Sequence, residues 1–327
     1  MQSNRNHRVW MYETMVKSRT FEEAIKEAYL EGKQPLFNMA KGPIPGEMHL
    51  SNGQEPCAVG VCAHLRPDDA VTSTHRPHHV AIAKGVDLNK MAAEIFGRTT
   101  GLSGGRGGHM HLFDAKVNFA CSGIIAQGMG PAVGAALASK LKGTDNVAVS
   151  FIGEGAANQG AFHESLNLAA VWNAPVVFVI EDNAYGISVT KGDSTAISQN
   201  SERAKGYGMP GVSVRGNDAD KIYQVAGEAI DRARSGAGPT LIELETYRLE
   251  GHFMGDAEQY RPEGEVERLN EIDPIPLYRQ RLIESGFDES DLQASETEAR
   301  KAVSVALDSA RAADLPSAEE AYEKVFV

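Results

Sequence analysis

Glu154 and Asn183 offer the oxygen ligands a hard cation needs, and each stands where an apolar run gives way to small residues. Glu154 sits in Gly153-Glu154-Gly155-Ala156-Ala157-Asn158, directly after Val147–Ile152, and Asn183 sits in Glu181-Asp182-Asn183-Ala184-Tyr185, directly after Val176–Ile180. Magnesium usually takes one or two carboxylates from protein, with phosphate and water completing its shell. Glu154 offers the carboxylate, Asn183 the amide oxygen, and the backbone carbonyl near Tyr185 a third protein ligand. The N–H groups of Gly155 and Ala156, at the amino end of a helix predicted from Ala156, suit the phosphate accompanying such a metal. Together these groups point to a magnesium diphosphate. Gly153, Gly155 and Gly160 do not form the dinucleotide fingerprint, because the last interval is too long. Singly, the same residues also fit a tight turn with a solvated Glu and a loop-closing Asn.

A diphosphate needs cations, whereas the chain as a whole carries a net charge of −12. Local positive groups must therefore supply the field. Arg76, in Thr74-His75-Arg76-Pro77-His78-His79, could grip a phosphate through its planar fork, with His75 adding a donor. Arg248, in Tyr247-Arg248-Leu249-Glu250-Gly251-His252, is a second candidate clamp, and His252 could donate a proton or stabilise an oxyanion. The spacing of His75, His78 and His79 also suggests a transition-metal site, but no nearby carboxylate or cysteine completes the ligand set. His49, ahead of Leu50-Ser51-Asn52-Gly53-Gln54-Glu55, could line a substrate channel or be a satisfied structural histidine.

The elements that position these residues alternate strand and helix. Val147–Ile152, a helix ending near Trp172, and Val176–Ile180 make one strand-helix-strand unit, with Glu154 and Asn183 just past the carboxyl ends of their strands. Asp69–Ser73, Gly211–Val214 and Thr240–Thr246 read as further strands. Helices are predicted over about 8–31, 56–64, 87–96, 131–140, 220–234, 276–285 and 296–312. Gly32–Gly46 carries three prolines and reads as extended or looped, and the polar stretch 255–264 as a loop that orders with a bound cofactor. Gly101-Leu102-Ser103-Gly104-Gly105-Arg106-Gly107-Gly108 demands unusual backbone angles, close approach to a ligand, or plain surface flexibility. The fold class expected is α/β, a doubly wound, mainly parallel sheet. One domain spans 1–327, with a helical extension over 1–48 and a loop with C-terminal helices over 256–327.

The acid between two glycines, followed by Asn after one strand-helix-strand unit, resembles the signature of thiamine-diphosphate enzymes. From about His49 to Tyr278 the chain resembles the α subunit of the first component of 2-oxo acid and acetoin dehydrogenase complexes, with its motifs in the same order. Glu154 replaces the commoner Asp, a variant within that family. The resemblance implies the thiamine-diphosphate-binding fold, with thiamine diphosphate and Mg2+ as cofactors. It implies that Arg76 and Arg248 hold the diphosphate, that His75 is a neighbouring contact, that His78 is an active-site histidine, and that His252 faces the thiazolium. Backbone at Gly123 and Ile125 would meet the aminopyrimidine ring, with the Ile125 side chain supporting the cofactor's bent form. Pro77, His79 and His109 depart from the family's usual small or hydroxyl residues, and Phe253 replaces a regulatory serine of mammalian members, so phosphorylation control there is not expected.

The glutamate that ionises the cofactor in this family comes from a β subunit, and no motif here matches it. The resemblance thus implies an α2β2 heterotetramer, inactive as a lone chain, that passes an acyl group to a lipoyl-bearing acyltransferase component. The compact length and the Gly251-His252-Phe253-Met254-Gly255-Asp256 stretch resemble acetoin dehydrogenases more than branched-chain enzymes, which implies acetoin as the small carbonyl substrate, with pyruvate a close runner-up and branched 2-oxo acids behind. A two-chain transketolase and a non-catalytic scaffold paralogue are the alternatives. The former is disfavoured by the His252 and glycine-rich segments, the latter by the presence of Glu154, Asn183, Arg76 and Arg248.

Composition narrows the remaining classes. At 42% hydrophobic and 23% charged, the 327 residues describe an ordinary globular protein. The acidic balance argues against nucleic-acid or anionic-membrane binding. Three irregularly spaced cysteines make no disulfide framework or zinc knuckle, and no long apolar run or leader is evident. A cytoplasmic, bacterial protein is expected.

Overall fold

In the central strands, residues of alternate parity enter two different cores, which is why these runs are mostly apolar. The computed structural model describes residues 3–33 and 37–323. Residues 34–36 of the predicted proline-bearing loop, and the extreme ends of both extensions, lie outside the described residues. The strands are β1 (Ala70–Ser73), β2 (Phe113–Asp114), β3 (Phe119–Cys121), β4 (Ala148–Gly153), β5 (Val176–Asp182), the hairpin pair β6 (Tyr185–Gly186) and β7 (Val189–Thr190), β8 (Gly211–Val214) and β9 (Thr240–Glu245). The large sheet has the order β2-β3-β1-β4-β5-β9-β8. Its pairings are parallel except β2 with β3, so the mainly parallel, doubly wound sheet expected from the strand pattern is the one observed.

The helices are α1 (Arg5–Leu30), α2 (Glu55–Cys62), α3 (His78–Lys84), α4 (Leu88–Ile95), α5 (Met129–Lys142), α6 (Gly160–Trp172), α7 (Lys191–Ser194), α8 (Ala219–Arg234), α9 (Glu265–Glu271), α10 (Pro274–Glu284) and α11 (Glu289–Ala312). Val149, Phe151, Val177, Val179, Ile242 and Leu244 face the core shared with α1, α2, α3, α4 and α8. Ala148, Ile152, Val176, Phe178, Ile180 and Leu241 face the core shared with α5 and α6. Each fully buried Val, Ile or Phe contributes about 1.5–3 kcal/mol. A two-sided strand therefore admits a polar side chain only where it is paired: Ser150 accepts from Thr72 at 3.0 Å, Glu243 accepts from Lys191 at 2.7 Å and from the Ser201 N–H at 2.9 Å, and Glu181 and Asp182 close β5.

Four local features differ from the sequence expectation. The α-helix after β4 begins at Gly160 rather than Ala156: Glu154–Asn158 form a 3-10 turn, and Gln159 is extended at φ −79°, ψ 146°. The end of the α6 dipole is thus displaced from Gly155 and Ala156. Second, His78 and His79 open α3, a helix with no amphipathic signature because every residue in it is buried. Third, α9 follows directly on the 255–264 loop, where no helix was expected, and α11 starts at Glu289, capped by Asp288 accepting from Ser290. Fourth, the glycine-rich loop closes on protein rather than on a ligand. The backbone N–H groups of Ser103, Gly105 and Gly107 donate to the buried Glu94 carboxylate at 2.7, 2.9 and 2.6 Å. A Cβ at Gly101 would lie 2.4 Å from that same carboxylate, so the loop's composition follows from wrapping an internal acid.

Candidate active site

Parallel strands deliver their carboxyl ends to one edge of the sheet, where open α/β folds bind ligands. β1 runs out into His75 and Arg76, β3 into Ser122–Gly128, β4 into Glu154, β5 into Asn183, and β9 into Arg248 and His252. These segments line a cavity of about 360 Å³. Of the residues singled out from the sequence, His75, Arg76, Ile125, Gly153, Glu154, Gly155, Ala156, Asn183, Tyr185, Arg248 and His252 line it. The structure does not bring Gly123 or His78 to the lining. Gly123 is half-buried against Met110, while His78 is fully buried with Nδ1 2.8 Å from the Glu22 carboxylate.

The acidic side rests on the register between β4 and β5, which pairs Gly153 with Glu181 and so brings the residues after each strand side by side. Glu154 is 2% exposed, and its carboxylate accepts the Asn183 backbone N–H at 3.2 Å. Burial, with the nearby Asp182 adding to it, pushes the Glu154 carboxyl up to about 7. A carboxylate held this far from its ordinary range favours a cation beside it. Asn183 donates its side-chain N–H to Gln54 at 3.1 Å, which leaves the amide oxygen facing the Tyr185 backbone N–H at a loose 3.4 Å. Ala184, between them, is left-handed at φ 72°, as are Ile187 at 59° and Ala126 at 62°. Such angles cost a residue with a Cβ about 1–2 kcal/mol each, and they cluster around this cavity.

Arg76 and Arg248 form the opposing side. Arg76 is buried; it donates to the Leu50 carbonyl and, at 2.9 Å, to the His252 carbonyl. Its guanidinium is brought down to about 9 by burial and by Arg248. Arg248 donates to the Ile187 carbonyl at 3.1 Å and the Tyr260 hydroxyl at 3.2 Å, and its Nη1 is 3.2 Å from His252 Nδ1. Its Nε is buried without a protein partner among the described residues. Two buried guanidiniums, both held below their ordinary range first by burial, with Arg248 acting on Arg76 and Arg261 on Arg248, and one with an orphaned donor, fit a polyanionic group such as a diphosphate. Asp256 accepts the His252 backbone N–H at 2.8 Å and the Tyr260 hydroxyl at 2.7 Å, tying the 255–264 loop to the site. Burial, then Arg76 and Arg248, bring His252 down to about 4, so its ring is neutral at pH 7.

Sequence reasoning did not foresee two further arrangements. His79 Nε2 lies 2.6 Å from Glu181, the buried acid that closes β5 and lines the cavity. His49, His75, His109 and His252 form an array in which His49 packs edge-on to His75 and His252, at 4.7 and 5.0 Å between ring centres, and stacks on His109 at 5.4 Å. These four lie more than thirty residues apart except for His49 and His75, and no local spacing rule links them. The only signals available were that His49, His75 and His252 stand in loops after a predicted strand or before a small-residue helix, and that His109 ends the glycine-rich segment.

A mainly parallel α/β sheet with acids on one side and arginines on the other of a strand-end cavity is the architecture of a thiamine-diphosphate-binding protein. Residues 15–319 match the family described as dehydrogenase E1 component. The chain belongs to that family, as its motifs indicated, and is a thiamine-diphosphate-dependent oxidoreductase component. It is 45% identical over 321 residues to the alpha subunit of acetoin:2,6-dichlorophenolindophenol oxidoreductase from Bacillus subtilis, covering 98% of this chain and 93% of the relative. It is 40% identical to the subunit of the same name from Cupriavidus necator, covering 97% and 93%. Against the chloroplastic pyruvate dehydrogenase E1 component subunit alpha-3 of Arabidopsis thaliana it is 36% identical, covering 97% and 73%.

Proposed function

We propose that this chain is the α subunit of an acetoin-cleaving, thiamine-diphosphate-dependent dehydrogenase. The observation that carries the reading is the pairing of Arg76 and Arg248 across one cavity from Glu154 and Asn183. The two guanidiniums would hold the diphosphate. Glu154, the Asn183 amide oxygen and the Tyr185 backbone carbonyl would hold Mg2+, and Gly153, Gly155 and Ala156 leave room and free N–H groups for the phosphate beside it. His75 and His252 would stand next to the thiazolium, and the backbone near Gly123 and Ile125 next to the aminopyrimidine. His78, held by Glu22, supports the substrate side from behind the lining.

Bound thiamine diphosphate supplies the electron sink for cleaving a carbon–carbon bond next to a carbonyl. The chain's own residues orient it and supply a neutral imidazole: His252 accepts Arg248 at Nδ1, so its proton sits on Nε2, where it donates to a substrate oxygen. Acetoin is favoured over pyruvate by the two relatives named for it, at 45% and 40% identity against 36% and 38% for two plant subunits named for pyruvate.

A β subunit completes the site in this reading, as an α2β2 assembly that passes the acyl group to a lipoyl-bearing acyltransferase. Ile124, Ile125 and Ile187 at the cavity are 62%, 47% and 61% exposed, an apolar rim suited to being covered by a partner. The whole chain acts as one domain. It works in the cytoplasm: its three cysteines are free and buried, and no helix among the described residues is long and apolar enough to cross a membrane.

Calorimetric titration of thiamine diphosphate, with and without Mg2+, into the chain co-purified with its β partner tests the reading. Metal-dependent binding followed by acetoin-dependent reduction of an artificial electron acceptor is the expected result. A well-folded complex that binds no cofactor overturns it.

A further inference from the structure

His109 Nε2 accepts the backbone N–H of His49 at 3.2 Å and also lies 3.1 Å from His49 Nδ1. A backbone N–H can only donate, so His109 Nε2 carries no proton, and the second contact is a hydrogen bond only if His49 Nδ1–H donates it. This fixes a tautomer. His49 keeps its proton on Nδ1 and presents a bare lone pair at Nε2. On the facing ring the logic runs the other way: Arg248 has no acceptor, so His252 Nδ1 is the bare nitrogen and Nε2 carries the hydrogen.

Neither Nε2 has a hydrogen-bond partner among the described residues, and neither is among the sealed, unpaired polar atoms. One ring nitrogen from each of His49, His75 and His252 lies within 4.8 Å of the other two. Rings whose nitrogens approach this closely can share a single oxygen that makes two hydrogen bonds of about 2.8 Å. A metal ion does not suit it, because Arg76 and Arg248 stand beside these rings and Arg248 already occupies one His252 nitrogen. A hydroxyl does, because it donates to His49 Nε2 while accepting from His252 Nε2–H. A carboxylate cannot donate, and it would also meet Glu47, whose carboxylate lies 3.9 Å from His49 Nε2.

We propose that His109 is a positioning residue that locks the His49 tautomer, so that the His49–His252 pair selects substrates carrying a hydroxyl next to the reacting carbonyl over 2-oxo acids. This rests on the function proposed above and names the feature of the substrate that the site reads. His49 is the contact; His109 acts through it.

The test compares His109→Phe, which keeps an aromatic ring but has no acceptor, with His109→Gln, whose amide oxygen can accept both bonds, in the complete α–β complex. Expected for His109→Phe is a fall of about 10²-fold in kcat/KM for acetoin, with cofactor affinity unchanged and the pyruvate rate moved by less than about threefold. His109→Gln is expected to recover acetoin turnover to within about tenfold of the parent. An acetoin-to-pyruvate ratio that stays constant in His109→Phe, or a His109→Gln no better than His109→Phe, overturns the proposal. A parent complex that binds thiamine diphosphate and oxidises pyruvate but not acetoin also overturns it, while leaving the cofactor reading intact. A parent complex that binds no cofactor instead overturns the functional reading, and this proposal with it.

Discussion

The Asn183 backbone N–H donates to the Glu154 carboxylate at 3.2 Å, joining the first loop residues beyond two adjacent parallel strands. No basic side chain forms a salt bridge with Glu154 among the described residues, although it is almost completely buried. A cation between Glu154 and Asn183 would relieve that burial.

Glu154→Ala is accordingly expected to weaken Mg2+-dependent binding of thiamine diphosphate by more than about 100-fold while leaving the fold intact. Calorimetry on the co-expressed complex measures the first and thermal unfolding the second. Unchanged affinity would remove Glu154 from the metal site.

The same acid predicts a pH dependence. With its carboxyl raised to about 7, Glu154 is largely protonated below neutrality, and the metal must displace that proton. Apparent Mg2+ affinity should fall by about tenfold per pH unit below 7 and level off above it. The stability contribution has the opposite sign: a folded-state pKa above the ordinary carboxylate value contributes stability at low pH that is lost as pH rises through 7. Metal titrations between pH 6 and 8 check the first, and thermal unfolding of the metal-free complexes from about pH 4.5 to 8 checks the second, in parent and Glu154→Gln, since the variant should show neither trend.

Arg76 and Arg248 repel one another in a buried setting, and Arg248 Nε lacks a partner. Inorganic pyrophosphate should therefore stabilise the protein, by about 2.7 kcal/mol at 100 times its Kd. Arg248→Met should abolish most of this gain, and without ligand it should unfold no lower than the parent. A melt series with and without pyrophosphate reads both effects; an equal shift in the variant would place the anion elsewhere.

His79 and Glu181 form a buried pair at 2.6 Å. Burial opposes the charge on His79, but Glu181 prevails and holds its pKa above the ordinary histidine value. His79→Gly leaves Glu181 buried and unpaired, with an expected cost of about 3–5 kcal/mol. Because the histidine's pKa is raised in the folded state, its contribution is complete below about 6.5 and fades as pH rises through the folded value. The difference in unfolding temperature between parent and variant should thus narrow in alkaline buffer.

The strand-end positions of Glu154, Asn183, Arg76 and Arg248 were legible in the chain because a buried parallel strand announces itself. Its mostly apolar run gives way to polar and small residues at its end, and the sheet's parallel order then brings those ends to one edge. The helix start at Gly160 and the short α3 were not legible. The first depends on whether the turn after Glu154 closes as 3-10 or α, and the second on a segment buried on all sides, which has no periodicity to read. The glycine-rich loop showed that close approach was needed, but its partner, Glu94, emerges only when the chain folds back on α4. His78 and Gly123 stand behind or beside the cavity for the same kind of reason, since a motif orders residues along the chain while packing decides which way a side chain faces. The histidine array is the extreme case. Its tautomers depend on contacts across gaps of 60 residues between His49 and His109 and 4 between Arg248 and His252, and a proton's place on an imidazole is set by the donor or acceptor it meets in space.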